Sequence, residues 1–186
     1  SSAASDVYKR QVGICSGSGI TPILSMIKNV LKLESNSSFS LIYGNKSVDS
    51  TMFLEELYAL DKLFGDRLRI INLYSREKVN GALEGRIDEG NLNNIFNLSK
   101  EIFSSDSYFL CGPGDMIETV SSFLESKEID KNKINFELFS SPIISEDSEP
   151  GLASDTVFNV TICMDGDDFD LSLIHISEPT RRRGTS

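Results

Sequence analysis

The chain has 186 residues, a net charge of −10, three cysteines and one histidine. The negative charge argues against a nucleic-acid-binding protein, and the lack of CxxC spacing excludes a zinc ribbon or a disulfide framework. No apolar run approaches the about 20 residues that a transmembrane helix needs, so we expect a globular domain with no membrane partner. The scattered cysteines favour a reducing cytoplasm.

Both ends of the chain are expected to lie outside the fold. Residues 1–11 and the LSLIHISEPTR run at 171–181 look like translations of the two adapters that a transposase adds to sequencing libraries. Residues 1–11 and 171–186 are therefore expected to be adapter-derived. These flanks carry five of the 18 basic and two of the 28 acidic residues, so the net charge without them is −13. They also contain the only histidine, His175, which excludes a histidine-based triad or metal site in the rest.

The first predicted strand, residues 12–16, leads into a glycine-rich turn and a helix. In the GSGITP segment at residues 17–22, the glycines let backbone approach a phosphate, and the helix start supplies N–H donors. Thr21 is expected to cap the helix, with Pro22 at its first position. An apolar stripe at helical spacing follows, formed by Ile23, Leu24, Ile27, Val30 and Leu31. Phosphate binding and simple tight packing both remain open for this turn.

The second and third predicted strands, residues 39–43 and 68–74, flank a predicted helix at residues 50–64. The second strand ends in Tyr-Gly-Asn at residues 43–45, where the usual NAD fingerprint has an acid. Arginines follow the third strand instead, at Arg76 and Arg86. Two guanidinium groups near one strand end suit a phosphate monoester, although solvated loop arginines are the alternative.

The remaining elements complete an α/β pattern. They are a weak helix at residues 88–97, a strand at 107–111, a helix after Pro113 and a strand at 134–139. Cys111 ends the fourth strand and is either a buried core thiol or a reactive group at the sheet edge. The alternation predicts a five-stranded parallel, doubly wound sheet with four helices over residues 12–139.

Composition changes after residue 139. Residues 140–155 are rich in serine, proline and acid, and no lysine or arginine occurs from 140 to 170, which predicts an acidic linker. Residues 156–164 then predict a strand, Asp165-Gly166 a hairpin turn and Phe169 the start of a return strand. We expect a second, truncated domain over residues 156–170.

Five segments, in this order, resemble the NADP-binding domain of ferredoxin–NADP reductase-like flavoproteins. They are GSGITP at 17–22, YGN at 43–45, SRE at 75–77 with GRI at 85–87, CGP at 111–113 and FELF at 136–139. Residues 156–170 are similar to the opening hairpin of a plant-type 2Fe-2S ferredoxin domain. The combination resembles the three-part reductases of bacterial oxygenases, of the kind that serves phenylacetyl-CoA epoxidase.

The resemblance implies hydride transfer from NADPH to FAD, followed by electron transfer through a 2Fe-2S centre to an oxygenase or another ferredoxin-dependent protein. It implies catalytic positions at Cys111 and Glu137. It implies cofactor contacts at Gly17, Ser18, Gly19, Thr21 and Pro22, at the 2′-phosphate group Ser75, Arg76 and Arg86, and at Cys111, Gly112, Pro113 and Phe139. The FAD barrel and the iron-binding cysteines are missing, so no residue is assigned to a metal and the fragment alone is expected to be inactive.

Four alternatives remain at this point. Within the redox class, a simple ferredoxin or flavodoxin reductase and a flavohaemoglobin-type reductase share the same motifs. An S-adenosylmethionine methyltransferase predicts an acid at the end of the second strand and leaves Arg76 and Arg86 unexplained. A non-catalytic nucleotide-sensing module leaves Cys111 and Glu137 without roles.

Overall fold

The computed structural model describes residues 8–138, 159–164 and 167–172, which fall into two units divided at residue 143. The first unit is a parallel sheet with helices on both faces. Its strands are β1 (Arg10–Ser16), β2 (Ser38–Asn45), β3 (Leu68–Tyr74), β4 (Leu83–Glu84), β5 (Ser107–Gly112) and β6 (Ile134–Leu138). Its helices are α1 (Ile20–Leu33), α2 (Leu54–Phe64), α3 (Glu89–Leu98), α4 (Lys100–Phe103) and α5 (Gly114–Ser126).

The strand order is β4-β3-β2-β1-β5-β6, and every neighbouring pair is parallel. The predicted doubly wound parallel sheet is confirmed, with all five predicted strands present. The structure adds β4 and α4, which are too short to leave a periodic pattern in the sequence. Strand order reverses between β1 and β5, and open α/β sheets bind ligands beyond the carboxyl ends of the strands at such a switch point.

The core consists of two layers, one on each face of the sheet. Val12 and Ile14 of β1 pack on the α3 and α5 side, whereas Cys15 packs on the α1 and α2 side. Helix α1 lies close to the sheet, since a Cβ placed on Gly13 would lie 2.6 Å from Ile23 Cγ2. The predicted apolar stripe of α1 is buried, as expected.

The start of α1 differs from the prediction. The helix begins at Ile20 with Gly19 at the N-cap position, and no side chain caps it. The expectations that Thr21 caps the helix and that Pro22 is its first residue are therefore wrong, since Pro22 is the third residue of α1. The reason is a 3-10 turn, Gly17–Gly19, that runs directly into α1, with the Ile20 N–H donating to the carbonyls of Gly17 and Ser18. Helical geometry is therefore established before the threonine. Helix α2 begins at Leu54, later than the predicted residue 50. It follows Phe53, whose φ of 59° lies in the left-handed region.

The first strand begins before the predicted natural segment, which starts at residue 12. Strand β1 begins at Arg10, and Arg10 and Gln11 pair with Ser38 and Phe39. Backbone pairing does not depend on side-chain identity, so the adapter origin of this flank stays a prediction.

The second unit contains β7 (Asn159–Met164) and β8 (Asp167–Ser172), which pair in antiparallel register. The return strand thus starts at Asp167 rather than at Phe169. The assignment of these residues to a ferredoxin domain and of residues 140–155 to a linker stays a prediction. No helix in the described ranges is long and apolar enough to cross a membrane.

Candidate functional site

The two glycine-containing motifs meet at the carboxyl edge of β1 and β5. Cys15 and Cys111 are register partners, so the turn after β1 and the segment after β5 leave the sheet side by side. A Cβ placed on Gly19 would lie 2.6 Å from the carbonyl carbon of Cys111 and 3.1 Å from the nitrogen of Gly112, and closer still to the Cys111 oxygen. Only glycine lets the turn rest on this peptide bond, so Gly19 serves close packing between the motifs.

Gly17 has a different requirement from Gly19. Its φ of +53° lies in the left-handed region, and a Cβ built there would meet nothing within 4 Å. The space in front of this turn is therefore open. The exposed Ser18 and Thr21 hydroxyls border it, and the start of α1 carries the positive end of the helix dipole. This combination suits a negatively charged ligand.

A buried tyrosine supports the turn from inside the core. The Tyr43 hydroxyl donates to the carbonyl oxygens of Gly17 at 3.2 Å and Met52 at 3.4 Å. Burial is the main cause that raises the pKa of Tyr43 to about 12, with Cys15 adding to it. The phenol therefore stays a hydrogen-bond donor at any physiological pH.

The two arginine segments are neighbours at the same edge of the sheet. Tyr74 of β3 and Glu84 of β4 are register partners, so residues 75–76 and 85–86 both follow directly from paired positions. Beyond β3 the ladder with β2 continues, because the Ser75 N–H donates to Asn45 O at 3.0 Å and the Arg76 N–H donates to Lys46 O at 2.9 Å. The backbone of this segment is thereby fixed.

The side chains of Arg76 and Arg86 are exposed. Within residues 8–137, neither guanidinium takes part in an ion pair or a hydrogen bond; the ion pairs join Lys28 to Glu56, Arg69 to Glu101, Lys78 to Glu84 and Lys131 to Glu125. Both guanidinium groups are thus available to an external anion.

Cys111 lies beside a pocket of about 180 Å³. The lining residues are Pro22, Ile23, Met26, Phe109, Leu110, Cys111, Asn135, Phe136 and Glu137. Cys111 is only 1% exposed, and its register partner on β6 is Glu137. Burial, and to a lesser extent the Glu137 carboxylate, raises the pKa of the Cys111 thiol, so the thiol is neutral near pH 7.

Close packing at the same carboxyl ends, on the opposite face of the sheet, was not predicted from the sequence. A Cβ on Gly112 would lie 2.9 Å from Met116 Cε and 3.1 Å from Ser16 Oγ, and a Cβ on Gly44 would lie 3.1 Å from Ile87 Cδ1. Glycines at the ends of β2 and β5 were the available signal for this close packing. Pro113 is exposed next to it, whereas Phe139 lies outside the described residues. Among the described residues, no cluster of three or more Cys, His, Asp or Glu side chains could hold a metal ion.

Comparison with known proteins places this geometry in a family context. Residues 14–122 match the family model described as oxidoreductase NAD-binding domain. The chain is 32% identical over 165 residues to a component of 1,2-phenylacetyl-CoA epoxidase from Escherichia coli, covering 88% of this chain and 46% of that protein. It is 27% identical to the reductase component of propane 2-monooxygenase from Mycolicibacterium smegmatis, covering 73% of this chain and 39% of that protein. This chain thus spans less than half the length of these curated relatives.

A solved structure shares the fold. The ferredoxin NADP+ reductase from Neisseria gonorrhoeae, a structure with bound FAD and NADP, aligns with a TM-score of 0.57 and 22% identity over 69% of this chain and 55% of that chain.

Proposed function

Because the chain belongs to the oxidoreductase NAD-binding domain family, we propose that it binds NADPH and presents the nicotinamide for hydride transfer to FAD in a larger flavoprotein reductase. The observation that carries the proposal is the placement of the open Gly17 turn, the neutral Cys111 thiol and the exposed arginines along one carboxyl edge of the sheet, with the first two at the switch point. The relatives' reductase names support a redox role rather than a methyltransferase or a sensing module. An acid at the end of β2, which the methyltransferase alternative requires, is replaced by Asn45.

The pyrophosphate of the dinucleotide fits the turn between β1 and α1. The backbone N–H groups of the Gly17–Gly19 turn can donate to phosphate oxygens beside the positive dipole end of α1, and the absence of a side chain at Gly17 leaves the approach open. Ser18 and Thr21 can add hydroxyl contacts. Gly19 contributes by holding this turn against the Cys111 peptide rather than by leaving space for the ligand.

The 2′-phosphate of NADPH fits the edge of β3 and β4. The Arg76 and Arg86 guanidinium groups are unpaired within the described residues, and the Ser75 hydroxyl is exposed beside them. Charge-assisted hydrogen bonds from arginine to phosphate are stronger than neutral ones. No acid closes β2 to repel the phosphate, so we expect a preference for NADPH over NADH.

The nicotinamide is assigned to the end of β5, beside Cys111, Gly112 and Pro113. When bound, the dinucleotide supplies a hydride from nicotinamide C4 to flavin N5, and the protein's part is to align the two rings. The neutral thiol of Cys111 gives the ring a close uncharged contact, and the apolar pocket beside it keeps water away. Glu137 and Phe139 are assigned to the side that approaches the flavin.

The names of two relatives support a proposal for the final electron acceptor. One relative is a component of an epoxidase and another is the reductase component of a monooxygenase, which supports an oxygenase as the final electron acceptor. We propose a 2Fe-2S centre as the relay, carried by the domain that begins near residue 156. The buried free thiols Cys15 and Cys111 suit the reducing cytoplasm, the compartment that we propose.

Coenzyme selectivity tests this proposal. In the full-length reductase, the Arg76→Ala, Arg86→Ala double variant should lose on the order of a hundredfold in kcat/KM for NADPH and little for NADH, because charged hydrogen bonds contribute roughly 1.5–3 kcal/mol each. Arg69→Ala is the matched control, since Arg69 pairs with Glu101 and lies outside this edge. A wild type that favours NADH, or a double variant that loses both coenzymes equally, contradicts the 2′-phosphate assignment.

A further inference from the structure

A side chain of α3 donates two hydrogen bonds to the turn that carries Arg86. The Asn91 side-chain amide donates to Glu84 O at 3.0 Å and to Arg86 O at 2.8 Å. These carbonyls lie on either side of Gly85, whose φ of +105° is a conformation that other residues rarely adopt. A Cβ on Gly85 would lie 3.0 Å from Asn91 Nδ2, so the amide fits tightly against this turn.

The same turn is anchored to the segment that carries Arg76. The Gly85 N–H donates to the carbonyl of Tyr74 at 2.9 Å, and Tyr74 directly precedes Ser75 and Arg76. The hydrogen bond from Gly85 to Tyr74 therefore links the backbones of the two arginine segments, and Asn91 holds the segment that carries Arg86.

Asn91 is itself held in place. Asp88 is the N-cap of α3, and its carboxylate accepts from the Asn91 N–H at 2.8 Å. The Asp88 N–H in turn donates to Arg86 O at 3.0 Å, so this carbonyl accepts from two donors. The helix cap and the turn form one connected hydrogen-bond unit, in which the Asn91 amide is the only side-chain donor to the backbone carbonyls of the turn among the described residues.

Resting on the proposed function, we propose that Asn91 is a positioning residue that sets selectivity for the ribose 2′-phosphate. It needs no contact with the ligand. By holding residues 84–86 in one conformation, it lets the Arg86 guanidinium meet the phosphate monoester without first ordering the turn, which is how preorganisation increases affinity. NAD(H), which lacks this phosphate, gains nothing from the ordered turn.

Binding of NADP+ and NAD+ to the 186-residue chain tests the proposal by isothermal titration calorimetry. We expect Asn91→Ala to weaken NADP+ binding about tenfold and NAD+ binding by less than about twofold. Without the Asn91 amide the turn is less ordered before binding, so NADP+ must order it and part of the binding free energy is lost. Asn91→Asp keeps the shape but removes the amide donors, and should weaken NADP+ binding at least as much. Asn93→Ala is the matched control, because the Asn93 amide donates to Glu89 O at 3.0 Å on the same helix and does not touch the turn.

The outcomes separate this inference from the proposed function. An unchanged NADP+ to NAD+ affinity ratio in a folded Asn91→Ala, beside a wild type that favours NADP+, overturns the role of Asn91 alone. Equal loss of both ligands also overturns it, because a purely structural role would produce that result. A wild type that binds both ligands equally contradicts the 2′-phosphate site itself, and the role of Asn91 with it.

Discussion

Gly19 provides the sharpest test of how the site is assembled. In Gly19→Ala the new methyl group would lie 2.6 Å from the Cys111 carbonyl carbon and 3.1 Å from the Gly112 nitrogen. Both neighbours are backbone atoms of a central strand, so no side-chain rotation relieves the overlap. The start of α1 must then move away from β5. Overpacking typically costs 1–3 kcal/mol, and a backbone clash belongs at the upper end, so we expect about 3 kcal/mol of lost stability.

Two other glycines provide matched controls in urea denaturation. Gly17→Ala meets no atom within 4 Å but must keep a φ of +53°, which costs about 1–2 kcal/mol. Gly114→Ala also meets nothing within 4 Å and lies at the first position of α5, where alanine stabilises by up to about 1 kcal/mol. The expected order of stability is Gly114→Ala, then Gly17→Ala, then Gly19→Ala. A Gly19→Ala chain as stable as wild type would refute the close contact between the two motifs.

Three further predictions concern chemistry, colour and pH. Cys111→Ala in the full-length reductase should slow flavin reduction by NADPH about ten- to hundredfold, or roughly 1–3 kcal/mol of barrier, in rapid-mixing experiments; an unchanged rate in a folded variant favours a plain core cysteine. The purified 186-residue chain should be colourless, and a stoichiometric flavin absorbance band contradicts the expectation that the FAD-binding residues are missing. Burial raises the pKa of Cys15, Cys111 and Tyr43, so the folded state keeps these protons after the unfolded chain has lost them. Stability in urea should therefore be full below about pH 8.5 and fall as the pH rises beyond it; a flat profile to about pH 10 contradicts this burial.

The sequence predicted helix α1 and the parallel sheet best, because their residue patterns agree with how helices pack on such a sheet. The apolar stripe from Ile23 to Leu31 predicts one buried helix face, and the alternation of strands and helices predicts the parallel sheet. The carboxyl ends of β1 and β5 meet because the strand order reverses there. The period of the sequence does not give the strand order, so it does not predict that these two strands are neighbours.

The remaining features depend on tertiary contacts. β4 has two residues and exists because Leu83 and Glu84 pair with β3, which no sequence period reveals. Threonine is a residue type that often caps helices, but the 3-10 turn before Thr21 starts the helix at Ile20. Gly19 and Gly17 look equivalent in the sequence. The structure distinguishes them, because a Cβ on Gly19 would overlap the Cys111 peptide whereas a Cβ on Gly17 would meet nothing within 4 Å.

The most direct test of the dinucleotide site is an amide NMR titration of the 186-residue chain with NADP+. We expect saturable shifts at the amides of Gly17, Ser18 and Ile20, at Arg76 and Arg86, and at Gly112, with the amino edge of the sheet near Lys9 and Asp106 unaffected. NAD+ should shift the first and last groups and leave Arg76 and Arg86 unchanged. No saturable shift at Gly17–Gly19, or shifts confined to the amino edge, would contradict the proposed site.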